Sequence, residues 1–170
     1  MKREPKVTPS VTLSRNVGDG ILAFDLGTHT GWCAMMNGEV VTCGTKDFPL
    51  VKGESNGKRF LKFSKWAMPL LSVTCPPLCV YEMAHYRGRP ATEILVGMST
   101  RIEEYCAYYG ILVEGIHSQT LKKEMAGTGK ASKEMMIEAA AKLYPGHDLN
   151  EHEADAILLA AYANRKLLLK

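Results

Sequence analysis

Apolar residues in this chain fall into short continuous runs and helix-spaced stretches, separated by glycine- and proline-containing joints. Ile21 to Leu26 is a short apolar run carrying a single acid, Asp25, and reads as a buried strand. Trp32 to Met36 and Glu39 to Gly44 flank Asn37-Gly38, a dipeptide that favours a type I′ hairpin turn. Lys58 to Leu71 interleaves basic and apolar residues at helical spacing, and Pro69 is expected to end or kink that helix. Leu78 to Met83 is a second buried strand, again with one acid near its end, Glu82. A helix over about 91–109 follows, stopped by Gly110, and then a strand from Ile111 to Ile116. Two further helices, about Lys130 to Leu143 and Glu151 to Leu168, close the chain across Pro145-Gly146. A hairpin followed by alternating helices and strands predicts a mixed α/β sheet with helices on its faces.

Residues 1–20 contain Pro5, Pro9, Gly18 and Gly20 with little apolar periodicity, and are expected to form a flexible basic arm ahead of one domain over 21–170. With 170 residues the chain is long enough to bury a core without disulfides. No apolar run approaches the roughly 20 residues that span a bilayer, and residues 1–20 lack an apolar export core, so no membrane partner and a cytoplasmic location are expected. The five cysteines form no CxxC pair, which favours free thiols in a reducing compartment over a zinc site.

A net charge of +3 says little by itself about partners, but its distribution says more. Lys52, Lys58, Arg59, Lys62 and Lys65 form one basic cluster, and Lys122, Lys123, Lys130 and Lys133 another. Either alone reads as a solvated helix face, and phosphate binding becomes the better reading only where a cluster flanks a catalytic site.

The chemistry gathers from three separated places. A lone acid in an apolar strand is costly to bury unless it is paired, protonated or metal-bound. Asp25 or Glu82 alone reads as a strand-end residue reaching water. The segment Asn150-Glu151-His152-Glu153-Ala154-Asp155 supplies a third coincidence. Asn150 as N-cap and Glu153 at N3 make a capping box, and His152 and Asp155 then share one helix face. Carboxylate oxygens with one imidazole suit Mg2+ or Mn2+ better than structural zinc.

These residues resemble the RuvC-type Holliday junction resolvases, within the RNase H-like superfamily of metal-dependent nucleases. Phe24-Asp25-Leu26-Gly27-Thr28-His29-Thr30-Gly31-Trp32 resembles that family's first motif, Tyr81-Glu82 its second and His152-Glu153-Ala154-Asp155-Ala156 its last. Lys122, Gly127, Gly129, Ala131 and Lys133 reproduce the spacing of a segment whose lysines support catalysis and contact DNA. The resemblance spans roughly residues 21–163, and its specificity lies in the ordered combination. It implies an RNase H-like mixed five-stranded sheet, with antiparallel hairpin strands, then parallel strands, and helices on both faces. Compact chains of this kind are often phage-encoded.

The implied activity is two-metal hydrolysis of four-way junctions or related branched DNA, with Mg2+ ions about 3.5–4 Å apart and Mn2+ as a substitute. Asp25 would bridge the ions, Glu82 hold one, and Asp155 with His152 the other, while His152 has the alternative task of orienting water or relaying a proton. Lys122 and Lys133 would stabilise charge at the phosphate, with Lys123 and Lys130 as further DNA contacts. The family wedges an aromatic residue into the junction just after the second acid. Here His85 or Tyr86, beside Arg87 and Arg89, would substitute, against the plainer reading of a surface loop. The helix over 91–109 corresponds to the family's dimer seam, so a homodimer is expected, with Gly97 allowing close approach.

Two competitors bear on the first motif and on the whole. Asp25 to Gly31 also resembles the phosphate loop of actin-like ATPases and sugar kinases, but those need a second such domain and a second loop. A non-cleaving, structure-specific DNA-binding module of the same fold is the alternative function, and the complete set Asp25, Glu82, His152 and Asp155 argues against it. Plain roles are expected elsewhere: Trp32 and Trp66 in packing, Met135 and Met136 filling gaps between helices, and His29 facing solvent.

Overall fold

A computed structural model describes residues 20–83 and 88–168. Most of the expected arm, residues 1–19, lies outside the described residues, as do His85, Tyr86 and Arg87. Gly20, expected in the arm, instead opens the first strand.

Among the described residues the strands form one five-stranded sheet in the order β3-β2-β1-β4-β5. They are β1 (Gly20–Asp25), β2 (His29–Met36), β3 (Glu39–Asp47), β4 (Leu78–Glu82) and β5 (Leu112–Ile116). The first three run as antiparallel neighbours, and β4 and β5 add in parallel on the other side of β1. Asn37 and Gly38 both take positive φ, 52° and 82°, as a type I′ turn between β2 and β3 demands.

β1 reads as an unbroken apolar run because both its faces are covered. Alternate residues Ile21 and Ala23 join a core with α3 (Ser118–Ala126), α4 (Lys133–Leu143) and α5 (Glu151–Ala163). Leu22 and Phe24 join the opposite core with α1 (Asn56–Thr74) and α2 (Arg89–Tyr109). The same period-2 alternation runs along β4, where Leu78 and Val80 face α5 while Cys79 and Tyr81 face α1 and α2. One more step along each strand carries Asp25 and Glu82 to the α5 face. Phe24 pairs with Tyr81 in the ladder, so the two acids come out as neighbours.

Three expectations about helices need correction. Pro69 neither ends nor breaks α1, which continues to Thr74. Phe63, Ala67 and Leu71 are buried on both sides of the exposed proline, and that packing outweighs the lost backbone hydrogen bond. α3 was not anticipated as an element: Leu121 is its sole fully buried residue, too little to register as a period. Lys130 falls before α4, which starts at Lys133 behind Ser132, whose Oγ accepts from the backbone N–H of Met135. The last helix ends in a π-helical turn over Asn164–Leu168. Met136 is buried as expected, whereas Met135 is 40% exposed and fills no gap. Each of the five cysteines is a free thiol.

Candidate active site

The candidate cleft is built where β1, β4 and the first turn of α5 meet. Asn150 caps α5, its Oδ1 accepting from the N–H groups of His152 and Glu153, each at 3.0 Å, while Glu153 accepts in return from the Asn150 N–H at 3.2 Å. The expected capping box therefore forms. The Asn150 side chain also exchanges hydrogen bonds with Thr45 of β3, at 3.1 and 3.2 Å, which ties the helix start to the sheet. Gly31 lies opposite Asp25 in the β1–β2 ladder. A Cβ there would overlap the carbonyl of His152, so only glycine lets α5 come down onto β2 at this point.

Asp25, Glu82 and Asp155 each present a carboxylate oxygen within 4.8 Å of the others. Burial, then the facing charges of Asp25 and Glu82, push the Asp155 carboxyl up to about 7, with Lys122 and His152 partly opposing the rise. Three convergent, half-buried acids of this kind form an unfavourable cluster that a cation relieves. Their hard oxygen donors fit a divalent ion of the Mg2+ or Mn2+ type.

His152 stands beside this triad, not within it. Its Nδ1 is 2.9 Å from Oδ2 of Asp25 and donates to that carboxylate, while Nε2 lies 3.9 Å from Oε1 of Glu151. The hydrogen bond to Asp25 raises the His152 pKa above the usual imidazole value, against the effect of partial burial. The ring of His29 stacks on His152 at 5.8 Å between centroids and 23° between planes, and His29 Nδ1 is bound to Asp47 at 2.7 Å. His29 is thus solvent-exposed as expected, yet it is part of the wall.

The cleft, about 350 Å³, is lined by these acids and His152, and also by Lys122, Lys133, Glu151, Thr28, His29 and the start of α2 at Ala91, Ile94 and Leu95. Lys122 comes from α3 and Lys133 from the first position of α4. Lys123 and Lys130 are exposed and absent from the lining, as is Arg89 at the head of α2. In the other basic cluster, Arg59 donates to the carbonyl of Phe48, and Lys62 to that of Pro49 and to Glu54, so these two are held by local structure. Thr30 is fully buried and its hydroxyl donates back to the Gly27 carbonyl at 2.8 Å, so it shapes the turn. Trp66 packs edge-on against Phe24 at 5.9 Å, as a core residue should.

Reading the sequence missed Glu151, which was taken only as the opening of a helix. Its Oε2 pairs with Nζ of Lys133, and its Oε1 is 3.9 Å from Nε2 of His152. Its position next to His152 was the available signal, but the pairing with Lys133 depends on how α4 approaches α5.

No protein-family model matches this chain, and no curated protein matches it in sequence. Solved structures do resemble it. Thermus thermophilus RuvC superposes with a TM-score of 0.71 at 17% identity, over 86% of this chain and 96% of that one. The same enzyme in complex with a Holliday junction substrate gives 0.71 at 18% identity, over 86% and 95%. The yeast mitochondrial Holliday junction resolvase Ydc2 gives 0.57 at 14% identity, over 85% and 78%. The mixed sheet, its strand order and its flanking helices are therefore those of the RNase H-like fold that RuvC adopts.

Proposed function

We propose that this chain is a Mg2+-dependent endonuclease that cleaves four-way junctions or related branched DNA. The observation that carries the reading is the convergence of Asp25, Glu82 and Asp155 within 4.8 Å in a cleft that also holds Lys122 and Lys133. The likeness in fold to RuvC and Ydc2 supports the choice of substrate class.

Asp25, Glu82 and Asp155 would hold Mg2+ or Mn2+, which would lower the pKa of water and offset charge on the phosphate. Asp25 holds the central position and is itself held by His152, so its two oxygens are oriented before substrate arrives. Glu82 and Asp155 complete the ligand set from β4 and α5. His152 has Nε2 turned away from Asp25, 3.9 Å from Oε1 of Glu151, as the nitrogen to accept or return a proton. Lys122, beside Asp155, steadies negative charge on the phosphoryl oxygens, and Lys133 at the rim anchors the strand. Lys123, Lys130 and Arg89 are exposed and contribute at most peripheral phosphate contacts. The wedge proposed on His85 or Tyr86, beside Arg87, falls in sequence between Glu82 and α2, outside the described residues.

The enzyme acts as a homodimer through α2. Val96 and Tyr108 of that helix are 48% and 75% exposed. Gly97, expected to serve the seam, instead gives room to the ring of Phe60 from α1 within one chain. No helix among the described residues is long and apolar enough to cross a membrane, and the proposed location is the cytoplasm.

The test is incubation of end-labelled four-way junctions with protein and Mg2+. Paired symmetric nicks that vanish in Asp25→Asn while binding persists support the proposal. Tight junction binding without cleavage in either Mg2+ or Mn2+ would instead make the chain a DNA-binding module.

A further inference from the structure

One carboxylate that lines the cleft, Glu151, has no part in the reaction just described. Glu151 opens α5 and Lys133 opens α4, and the two side chains meet across the mouth of the cleft. Both line the cavity that holds Asp25, Glu82 and Asp155. A fourth carboxylate beside three others is an odd choice for a site that receives a polyanion. Its effect is to neutralise the very lysine best placed at the rim to meet a phosphate.

We propose that Glu151 is a positioning residue that holds Lys133 over the cleft and competes with DNA phosphate for it. A backbone seated against the carboxylates displaces Glu151, and a passing duplex does not. This rests on the endonuclease reading above.

Three features make the exchange workable. The Lys133 side chain is 73% exposed and that of Glu151 39%, so the pair is held weakly, by no more than about fivefold in an equilibrium constant. A backbone phosphodiester matches a carboxylate in charge and in free oxygens, so the exchange costs Lys133 little, and the neighbouring phosphates of the strand favour it. Glu151, once released, is not stranded: it sits in the first turn of α5, where the helix dipole favours an anion, and its Oε1 is already 3.9 Å from Nε2 of His152. The pair also leaves the rim close to neutral in the free protein, which lowers attraction for DNA that cannot reach the cleft.

A double-mutant cycle on DNA affinity tests this, using wild type, E151Q, K133Q and the double variant. Dissociation constants for a four-way junction and for linear duplex are measured with Ca2+ replacing Mg2+ to hold off cleavage, and thermal midpoints are recorded alongside. Expected is a two- to fivefold tightening of the junction in E151Q, a gain on linear duplex no larger than that, and no gain on either when K133Q is already present; the range is about what loss of one exposed ion pair allows. The same tightening in the K133Q background would reduce Glu151 to a general surface charge, and no tightening in E151Q would remove the competition; either overturns the proposal while leaving the endonuclease intact. Failure of the wild type to bind branched DNA would overturn the endonuclease reading, and this one with it.

Discussion

At the scale of single residues, Asp155 and His152 make opposite kinds of contribution. Asp155 belongs to the carboxylate triad and has no substitute, so Asp155→Asn is expected to abolish junction cleavage in a gel assay. His152 touches Asp25 through one hydrogen bond and stands outside the carboxylate triad. His152→Asp is therefore expected to retain much of the cleavage; equal harmlessness of the two changes would end the metal-site reading. Without metal, the same residues give stability a definite slope with pH. Asp155 has a folded value of about 7 against an ordinary 3.8, so between those values the folded state holds the proton more often than the unfolded one. Stability then falls as pH rises from about 4 to 7. The His152 pKa is raised on folding, so its contribution is fully present below the unfolded value and is lost as pH climbs through the folded one, the same direction. Thermal midpoints in EDTA should decline from pH 5 to pH 8, and Mg2+ should raise the midpoint most at the upper end, where the carboxylates are ionised. A metal-free midpoint that rises over this range would contradict the convergence of these acids.

The elements show why part of this site could be read from the chain and part could not. Asp25 and Glu82 stood out because each interrupts an apolar run, and the period of two that buries both faces of β1 and β4 also sends both acids to the α5 side. The capping box at Asn150 was legible for a similar reason, since it is local, spanning one turn of α5. What depends on how elements approach one another left no trace in the pattern. The pairing of Glu151 with Lys133 and the stacking of His29 on His152 arise between elements distant in sequence. Helix α3 passed unnoticed because one buried leucine makes no period, and Pro69 misled because tertiary packing on either side of it overrides the local breaker. Gly31 joins the two classes: it was visible as part of a motif, but its purpose is the contact of β2 with the α5 backbone. Gly31→Ala should force the start of α5 off the sheet, cost about 1–3 kcal/mol in denaturant unfolding, and lower cleavage beyond what the stability loss explains, because His152 and Asp155 ride on that helix. A variant as active as the parent would show that the approach at Gly31 does not set the site.

For the whole molecule, the argument turns on number. Each chain brings its acids together in one described cleft, so on the proposed reading a single copy would cut one strand at a time. A four-way junction has approximate two-fold symmetry, and resolving it needs nicks in two strands of like polarity. A second copy related by a two-fold axis supplies the second cleft through one self-complementary interface. The surface proposed for that axis is the outer side of α2, since Met98, Ile102 and Cys106 are already spent on the chain's own core and Gly97 on Phe60, which leaves Val96 and Tyr108 outward. Because α2 also lines the cleft at Ala91, Ile94 and Leu95, a dimer on this helix holds the two clefts at a fixed spacing. Light scattering should therefore report a dimer, and Val96→Glu with Tyr108→Glu should shift it to monomer without unfolding, both side chains being largely outside the core. On a supercoiled plasmid bearing an extruded cruciform, wild type should yield mainly linear product within one binding event, and the monomeric variant mainly nicked circles. A protein that is monomeric on the junction and still linearises the plasmid at the wild-type rate would remove α2 as the seam and paired nicking as the reason for it.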